Sequence, residues 1–348
     1  MDQSILLEVS GGLDSSIVAA CLRESVARVA CCTLVTPVPG ADERRYAGLI
    51  AAALGIELQS EVLGFDRASV SFDLLPDTVS PRVGCLQHAI DQVMVAAGDQ
   101  HDVASFYSGA GGDTVFCYLT NAAPAADAIR EGGLSAGISA IQDLSALHQC
   151  TLWTAAGLVL KKLVRGPKPP RAPRSTFVDP DRIARTSEVH PWFEAPEDAL
   201  PGDRERIASL VSTQNYRDMT PRGGRKRVRM PLLSQPVVEA CLRTPSWMWI
   251  AGGDNRAVAR DAFADALPSE VLNRRSKGTF VSYLGGVYRR NKEHIRDFLL
   301  SGRLREHELL NTIELSRFLA RDDLPGRDRL FMEVLDLCMI ENWTRQQT

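Results

Sequence analysis

Residues 10–16 of this chain decide its fold, and they read Ser10-Gly11-Gly12-Leu13-Asp14-Ser15-Ser16. The segment follows a short apolar run that begins at Ile5 and precedes the helix-forming residues from Ile17 to Leu22. This order predicts a buried β-strand, a glycine turn and then a helix. Glycines let a backbone approach a ligand closely, and the unpaired N–H groups at the start of a helix attract an anion. The segment therefore predicts a phosphate-binding loop, and the alternative is an ordinary glycine turn.

Asp14 adds a carboxylate to this loop. A carboxylate repels polyphosphate unless a cation lies between them, so Asp14 predicts a bound magnesium ion. The loop is also shorter than the phosphate loop of kinases and GTPases and lacks its lysine. Transfer of a γ-phosphate is therefore disfavoured.

Composition excludes several classes of protein. The chain has 348 residues, a net charge of −3 and 24% charged residues, which does not suggest nucleic acid as a partner. It contains neither an apolar stretch of the roughly 20 residues that a membrane helix needs nor a secretory signal. Its eight cysteines are scattered without C-x-x-C spacing. We therefore expect a cytoplasmic protein with reduced core cysteines and no membrane partner.

The first third of the chain alternates between strand and helix patterns. After the first strand and helix, further strands are predicted at 29–35, 56–62 and 103–107, with helices at 42–54 and 85–97. This alternation predicts an α/β fold, a parallel doubly wound sheet with helices on both faces. Ligands of such sheets bind at the carboxyl ends of the strands, where the loop at 10–16 would lie.

The remainder of the chain is predicted to be mainly helical. Helices are expected near 139–147, 152–163, 203–215, 235–242, 256–266 and 329–343. We therefore divide the chain into a nucleotide-binding α/β core at 1–125 and a helical, substrate-shaping part at 126–348. Prolines between Gly166 and Arg174 preclude a regular element and predict a mobile loop near 166–202.

A second glycine-rich segment, Ser108-Gly109-Ala110-Gly111-Gly112-Asp113, follows the predicted fourth strand. It repeats the chemistry of the first loop, since small residues again precede a carboxylate. Asp14 and Asp113 would then hold magnesium between them at one edge of the sheet. The alternative for Asp113 is a helix N-cap.

The segment at 10–16 resembles the pyrophosphate loop of the ATP pyrophosphatases, which cut ATP between its α- and β-phosphates. Together with Asp42-Glu43, the second loop, the helix from Asn255 to Arg260 and the stretch from Arg274 to Phe280, it is similar to the synthetase domain of asparagine synthetases. The resemblance covers about residues 4–285. It implies an adenine-nucleotide α-hydrolase-like fold and an AMP-forming ligase that uses ATP and magnesium to make an amide.

The resemblance also implies roles for individual residues. Asp14 and Asp113 would bind magnesium, Leu34, Val35 and Thr36 would face adenine, and Lys277 would stabilise negative charge that develops during the reaction. Asp14, Asp113 and Lys277 are thus the predicted catalytic residues. The predicted nucleotide-binding residues are Ser10, Gly11, Gly12, Leu13, Asp14, Ser15, Ser16, Leu34, Val35, Thr36, Ser108 and Gly109.

Two departures from asparagine synthetases bear on the substrate. The chain starts Met1-Asp2 and lacks the cysteine that follows the initiator methionine in their glutaminase domain, so we expect that N-terminal domain to be absent. The family's Glu-x-Arg-x-Pro stretch here starts with Arg227 instead of an acid. Asparagine is therefore a doubtful product.

The segments from Met230 to Leu242 and from Gly252 to Arg256 more closely resemble the macrolactam synthetases of lasso-peptide biosynthesis. This resemblance implies a precursor peptide as substrate, whose side-chain carboxylate is adenylated and joined to its own N-terminal amine. It also implies a leader-binding protein and a leader peptidase as pathway partners. The alternatives are a small-molecule amide ligase that makes asparagine or a β-lactam, and a catalytically silent ATP-binding subunit.

The sequence does not identify the base that would deprotonate the attacking amine. Candidates are His88, Glu188, His190 and Tyr107. A basic run between Arg222 and Arg229 is either a solvated face or a flank of the active site that meets phosphates or an acidic substrate.

Overall fold

The fold is built on a five-stranded parallel sheet with the strand order β3-β2-β1-β4-β5. The computed structural model describes residues 4–38, 42–65, 81, 85–119, 121–164, 175–182, 190–214, 226–275, 278, 280–321 and 330–347, without the side chains of 85–89. The strands of the sheet are β1 (Ser4–Glu8), β2 (Arg28–Val35), β3 (Leu58–Val62), β4 (Ser105–Tyr107) and β5 (Arg227–Arg229). A short antiparallel pair, β6 (Ile250–Ala251) and β7 (Asp254–Asn255), lies outside it.

Fourteen α-helices occur within the described residues. They are α1 (Leu13–Leu22), α2 (Arg44–Leu54), α3 (Cys85–Gln100), α4 (Gly112–Val115), α5 (Ala123–His148), α6 (Leu152–Val164), α7 (Pro201–Gln214), α8 (Gln235–Leu242), α9 (Ala257–Ala262), α10 (Ser269–Leu272), α11 (Val281–Leu300), α12 (Arg303–Glu306), α13 (Thr312–Ala320) and α14 (Leu330–Gln346). Helix α5 is interrupted at Gly133, whose φ of 78° is not helical. None of the described helices combines the length and apolar character needed to span a membrane.

The sheet reverses its strand order between β1 and β4. From β1 the chain continues through β2 to β3 on one side and then returns to form β4 on the other side of β1. Leu7 of β1 is in register with Cys31 on β2 and with Tyr107 on β4. A reversal of this kind opens a crevice at the carboxyl ends of the two strands. Both glycine-rich loops emerge at that crevice.

Helices cover both faces of the sheet, as the predicted fold class requires. On one face, Leu7 of β1 packs with Ile17 of α1 and Ile50 of α2. On the other face, Leu6 packs with Met94 of α3 and with Phe106. The strand residues are buried on both sides because alternate side chains point to opposite faces. The prediction of an α/β fold with a doubly wound parallel sheet and a helical C-terminal part is confirmed.

The C-terminal helices form a core of their own. Tyr288 of α11 packs against Phe318 of α13 and Phe331 of α14, with ring centroids 6.0 Å apart in each pair. This cluster continues to Leu63, the residue after β3, and so attaches to the edge of the sheet. Helices α5 and α6 pack together through a smaller cluster that includes Leu144 and Val159.

Several elements differ from the sequence-based expectations. Strand β5 lies beyond residue 125 but extends the sheet, and sequence analysis did not predict it. Helix α5 starts at Ala123 rather than near 139, and α11 was not predicted. The loop expected near 166–202 lies partly outside the described residues, while within it the structure has a 3₁₀-helix at Pro191–Phe193 and the start of α7.

The cysteines do not all lie in the core. Cys31, Cys32, Cys117 and Cys338 are buried as expected, but Cys21 is exposed. Cys21 lies in the last turn of α1. None of the seven cysteines whose side chains are described forms a disulfide.

Candidate active site

The loop at residues 10–16 joins β1 to α1 and is held by its own serines. The Gly12 N–H donates to Ser10 Oγ at 3.3 Å, and the Ser16 hydroxyl donates to the Gly12 carbonyl at 2.7 Å. Ser10 and Ser15 share a hydroxyl contact at 3.3 Å. Helix α1 has Gly12 at its N-cap position and receives no side-chain cap there. Backbone N–H groups at such a helix start attract an anion, so phosphate binding by this loop stays a prediction.

The second loop, residues 108–113, interlocks with the first. A Cβ atom at Gly109 would lie 2.5 Å from the Ser15 backbone nitrogen, and one at Gly112 would lie 2.4 Å from Asp14 Cγ. Both distances are far below van der Waals contact, so only glycine allows the loops to approach this closely. The second loop then turns into α4, which carries Asp113 in its first turn.

Asp14 and Asp113 meet at one cation, the guanidinium of Arg256. Arg256 Nη1 donates to Asp14 Oδ1 and to Asp113 Oδ1, at 3.0 Å in each case. The Arg256 side chain is only 12% exposed, and its guanidinium lies 5.3 Å from the centroid of the Tyr118 ring. The sequence predicted that the two carboxylates come together but not that an arginine joins them.

The two carboxylates have the donor chemistry of a magnesium site. Magnesium prefers hard oxygen ligands, often one or two carboxylates combined with substrate phosphates. Asp14 Oδ1 and Asp113 Oδ1 converge on a single point, now taken by a nitrogen atom. Within the described residues no group of three or more metal-ligating side chains is found.

A buried ion pair binds the C-terminal segment of the site to the first loop. Arg274 pairs with Glu43, the residue before α2, and also donates to the Gly11 carbonyl at 3.2 Å. Its guanidinium stacks 4.1 Å from the centroid of the Tyr46 ring. The side chains of Arg274 and Glu43 are 7% and 17% exposed, which makes the pair a fixed part of the site.

Lys277 lies outside the described residues, whereas Gly278, the next residue in the sequence, is described. The Gly278 N–H donates to Glu43 Oε1 at 3.2 Å, next to the Arg274 contact with the same oxygen. The role of Lys277 stays a prediction.

The predicted adenine-facing residues form the end of β2 and the residue after it. Leu34 is half-buried and packs in the core, and the Val35 carbonyl accepts the Leu63 N–H at 2.8 Å. Thr36 is 5% exposed, and its hydroxyl has no hydrogen-bond partner among the described residues. Buried hydroxyls in folded proteins normally have a partner, so this one suits a ligand that brings its own polar atoms.

A cleft with a volume of about 560 Å³ lies between the two loops and helix α7. Its walls include the predicted residues Ser10, Asp14, Ser15, Ser108, Gly109 and Asp113. Residues that sequence reasoning missed also line it, namely Glu8, Thr114, Ser209, Ser212 and Thr213. The signal for Glu8 was present, because it is an acid at the carboxyl end of the central strand. Helix α7 contributes the three hydroxyl-bearing residues at 209, 212 and 213.

The candidate bases differ in how well the structure supports them. His190 accepts the Trp192 N–H at 3.2 Å and caps an exposed 3₁₀-helix, which is a structural role. Tyr107 ends β4 directly before the second loop. Glu188 and the side chain of His88 lie outside the described residues. In the basic run, the Arg229 carbonyl accepts the Ser108 N–H at 3.1 Å, so β5 lies beside the site.

The comparison with protein families agrees with this geometry. The profile of the asparagine synthase family matches residues 1–345. The chain belongs to the asparagine synthase family. Membership implies ATP-dependent amide ligase activity in general, and it agrees with two acid-ended loops at the switch point of the sheet. No curated protein matches the chain.

Proposed function

We propose that this protein adenylates a side-chain carboxylate of a precursor peptide and joins it to the N-terminal amine of the same peptide. The carboxylate oxygen attacks the α-phosphorus of ATP and pyrophosphate leaves. The amine nitrogen then attacks the acyl carbon, loses a proton and displaces AMP. The product is a macrolactam ring that contains one water less than the precursor.

The observation that carries the ATP-cleaving half of this proposal is the pair of interlocked loops. Gly109 and Gly112 bring the second loop against Ser15 and Asp14, so both acids and the start of α1 line one cleft. Amides and serine hydroxyls would bind the pyrophosphate. The Thr36 hydroxyl, which has no partner among the described residues, suits the nucleotide base. Magnesium held by Asp14 and Asp113 would neutralise phosphate charge.

Lys277 is proposed to stabilise the negative charge that develops on the departing phosphate and on the tetrahedral intermediate. A preorganised cation near developing charge is among the strongest catalytic contributions. Arg274 and Gly278, which flank this lysine in the sequence, both contact Glu43, and Arg274 also contacts Gly11 of the first loop. Glu8 and Tyr107 are proposed as candidates for the proton acceptor because both lie at the carboxyl edge of the central strands.

A peptide substrate is favoured over free aspartate by the residue at 227. Arg227 lies on β5, where asparagine synthetase-like sequences carry an acid, and its side chain is exposed. A basic residue there does not suit the ammonium group of free aspartate, whereas it can meet an acidic side chain of a peptide. The segments from Met230 to Leu242 and from Gly252 to Arg256 resemble macrolactam synthetases, which supports the same choice.

A small-molecule amide ligase, with asparagine or a β-lactam as product, is the second candidate. It is favoured by membership of the asparagine synthase family. A catalytically silent ATP-binding subunit is the third. A leader-binding protein and a leader peptidase are proposed as pathway partners of the first candidate only.

Incubation with ATP, magnesium and candidate precursor peptides, followed by mass spectrometry, tests the proposal. We expect AMP, pyrophosphate and a peptide that has lost one water. Asp113→Asn and Lys277→Ala should abolish this product, whereas the exposed control changes Asp265→Asn and Lys161→Ala should leave it unchanged. AMP formation with free aspartate and ammonia instead would favour the small-molecule ligase. Product formation that survives the loss of both Asp113 and Lys277 would contradict the assigned site.

A further inference from the structure

Arg256 is held in a backbone conformation that favours glycine. Its φ is 54° and its ψ is 33°, the left-handed region that non-glycine residues rarely adopt. Strained residues of this kind persist where the surrounding structure over-determines them, and they cluster at functional sites. The side chain of Arg256 lies between Asp14 and Asp113, although both aspartates are far from Arg256 in the sequence.

The position of this guanidinium is the position that a shared metal ion would need. Both contacts go through the same atom, Nη1, to one oxygen of each aspartate. The arginine and a divalent cation therefore compete for the same pair of oxygen atoms. Arg256 also offsets one of the two negative charges, which weakens the attraction of the site for a metal ion.

We propose that Arg256 is a built-in substitute for the metal ion, which keeps the two aspartates together and blocks metal binding until nucleotide arrives. Polyphosphate brings several negative charges into the cleft and so restores the attraction for the cation. The Tyr118 ring, 5.3 Å from the guanidinium, offers Arg256 a contact that does not depend on the aspartates. The metal then enters with ATP rather than before it. This inference rests on the proposed use of magnesium and ATP.

The test measures the binding of Mn²⁺ alone, by electron paramagnetic resonance of free Mn²⁺, to the nucleotide-free full chain. Arg256→Gln should bind Mn²⁺ at least about tenfold more tightly than the unaltered protein, because the competing charge is gone. Adding Asp113→Asn to this variant should remove the gain. Arg256→Lys keeps the charge but loses the planar fork, so a smaller gain of a few-fold is expected. If Arg256→Gln does not fold, the Mn²⁺ affinity of Arg256→Lys tests the proposal instead.

Arg275→Gln is the matched control. Arg275 is 72% exposed and pairs with Asp254, so its loss removes the same charge without touching Asp14 or Asp113. Its Mn²⁺ affinity should equal that of the unaltered protein. An equal gain in Arg275→Gln, or no gain in either Arg256 variant, would overturn the proposal.

A parallel titration with ATP and Mg²⁺ distinguishes a failure of the proposed ligase function from a failure of the proposed role of Arg256. If no protein in the set binds ATP, the proposed ligase function is wrong, whereas the metal titrations still decide the role of Arg256. If ATP binds but Arg256→Gln shows no gain in Mn²⁺ affinity, the role of Arg256 is wrong and the ligase proposal stands.

Discussion

Gly112 fixes the distance between the two acid-bearing loops. Its backbone lies so close to Asp14 that a methyl group would stand 2.4 Å from Asp14 Cγ. Asp14 belongs to the first turn of α1 and cannot retreat without moving that helix. The relative position of the two carboxylates therefore depends on the absence of a side chain at residue 112.

Gly112→Ala should displace Asp14 and reduce ATP-dependent pyrophosphate release at least about 100-fold, because misplacement by about 1 Å costs this much in well-oriented sites. The overpacking should also lower the free energy of unfolding by about 1–3 kcal/mol. Steady-state pyrophosphate release and chemical denaturation measure the two effects.

Gly157→Ala is the control for this substitution. Gly157 lies on the exposed face of α6 with open space around its Cα. Alanine there should leave pyrophosphate release unchanged and raise the free energy of unfolding by about 0.5–1 kcal/mol. Equal activity of the two variants would show that the close approach of Gly112 to Asp14 is not needed.

For individual residues, the sequence predicts the glycine-rich loops better than it predicts long-range side-chain contacts. The residues from Ile5 to Leu22 predict a strand, a turn and a helix in that order, and the structure has these elements in that order. Arg256 gives no comparable signal, because its two aspartates are 242 and 143 positions away. Only the three-dimensional fold brings these residues together.

Asp127 joins three elements of the helical part. It lies in α5 and is 1% exposed, and it accepts the Gly202 N–H of α7 at 2.9 Å. It also accepts the Ser246 hydroxyl, from the 3₁₀-helix at Ser246–Trp249, at 2.5 Å. Burial raises the pKa of Asp127 to about 6, an effect that these two hydrogen bonds only partly oppose.

Stability of the helical part should therefore depend on pH through Asp127. Because the pKa in the folded protein lies above the unfolded value of 3.8, this residue contributes stability that is fully present below about pH 4. That contribution is lost as the pH rises through about 6. Between pH 5 and pH 8 the loss amounts to about 1 kcal/mol.

Asp127→Asn should remove this component, since asparagine keeps an acceptor oxygen but does not titrate. Denaturation at pH 5 and pH 8 measures it: the unaltered protein should lose about 1 kcal/mol more than the variant over this interval. Asp265→Asn, at an exposed position, is the control and should behave like the unaltered protein. An unchanged pH dependence in Asp127→Asn would contradict the assignment.

The helices and strands that the sequence predicted are those with a recognisable pattern of apolar residues within the element itself. Strands β1 to β4 read as apolar runs between helices, and each was found within about three residues of its predicted bounds. Strand β5 has only three residues, two of them arginine, and exists because Tyr107 of β4 pairs with Arg229. Helix α11 was missed because Gly285 and Gly286 interrupt its apolar pattern, although the structure uses Gly286 to admit the Phe65 ring.

In the whole molecule, the cleft lies at the carboxyl ends of the central strands of the α/β sheet. The switch point between β1 and β4 provides the crevice, and both glycine-rich loops line it. Residues after position 200 add the hydroxyl-bearing residues of α7 to the cleft. Arg256 and Arg274 contact the first loop through Asp14 and Gly11. The α/β sheet therefore supports the cleavage of ATP, while the later residues are the ones expected to select the acceptor.

The proposed function requires that a carboxylate attacks the α-phosphorus of ATP. The most direct test uses a precursor peptide whose side-chain carboxylate carries ¹⁸O. Adenylation transfers one carboxylate oxygen to phosphorus, so mass spectrometry should find one ¹⁸O atom in the AMP. Formation of ADP with the label in phosphate, or of AMP without label, would contradict the account.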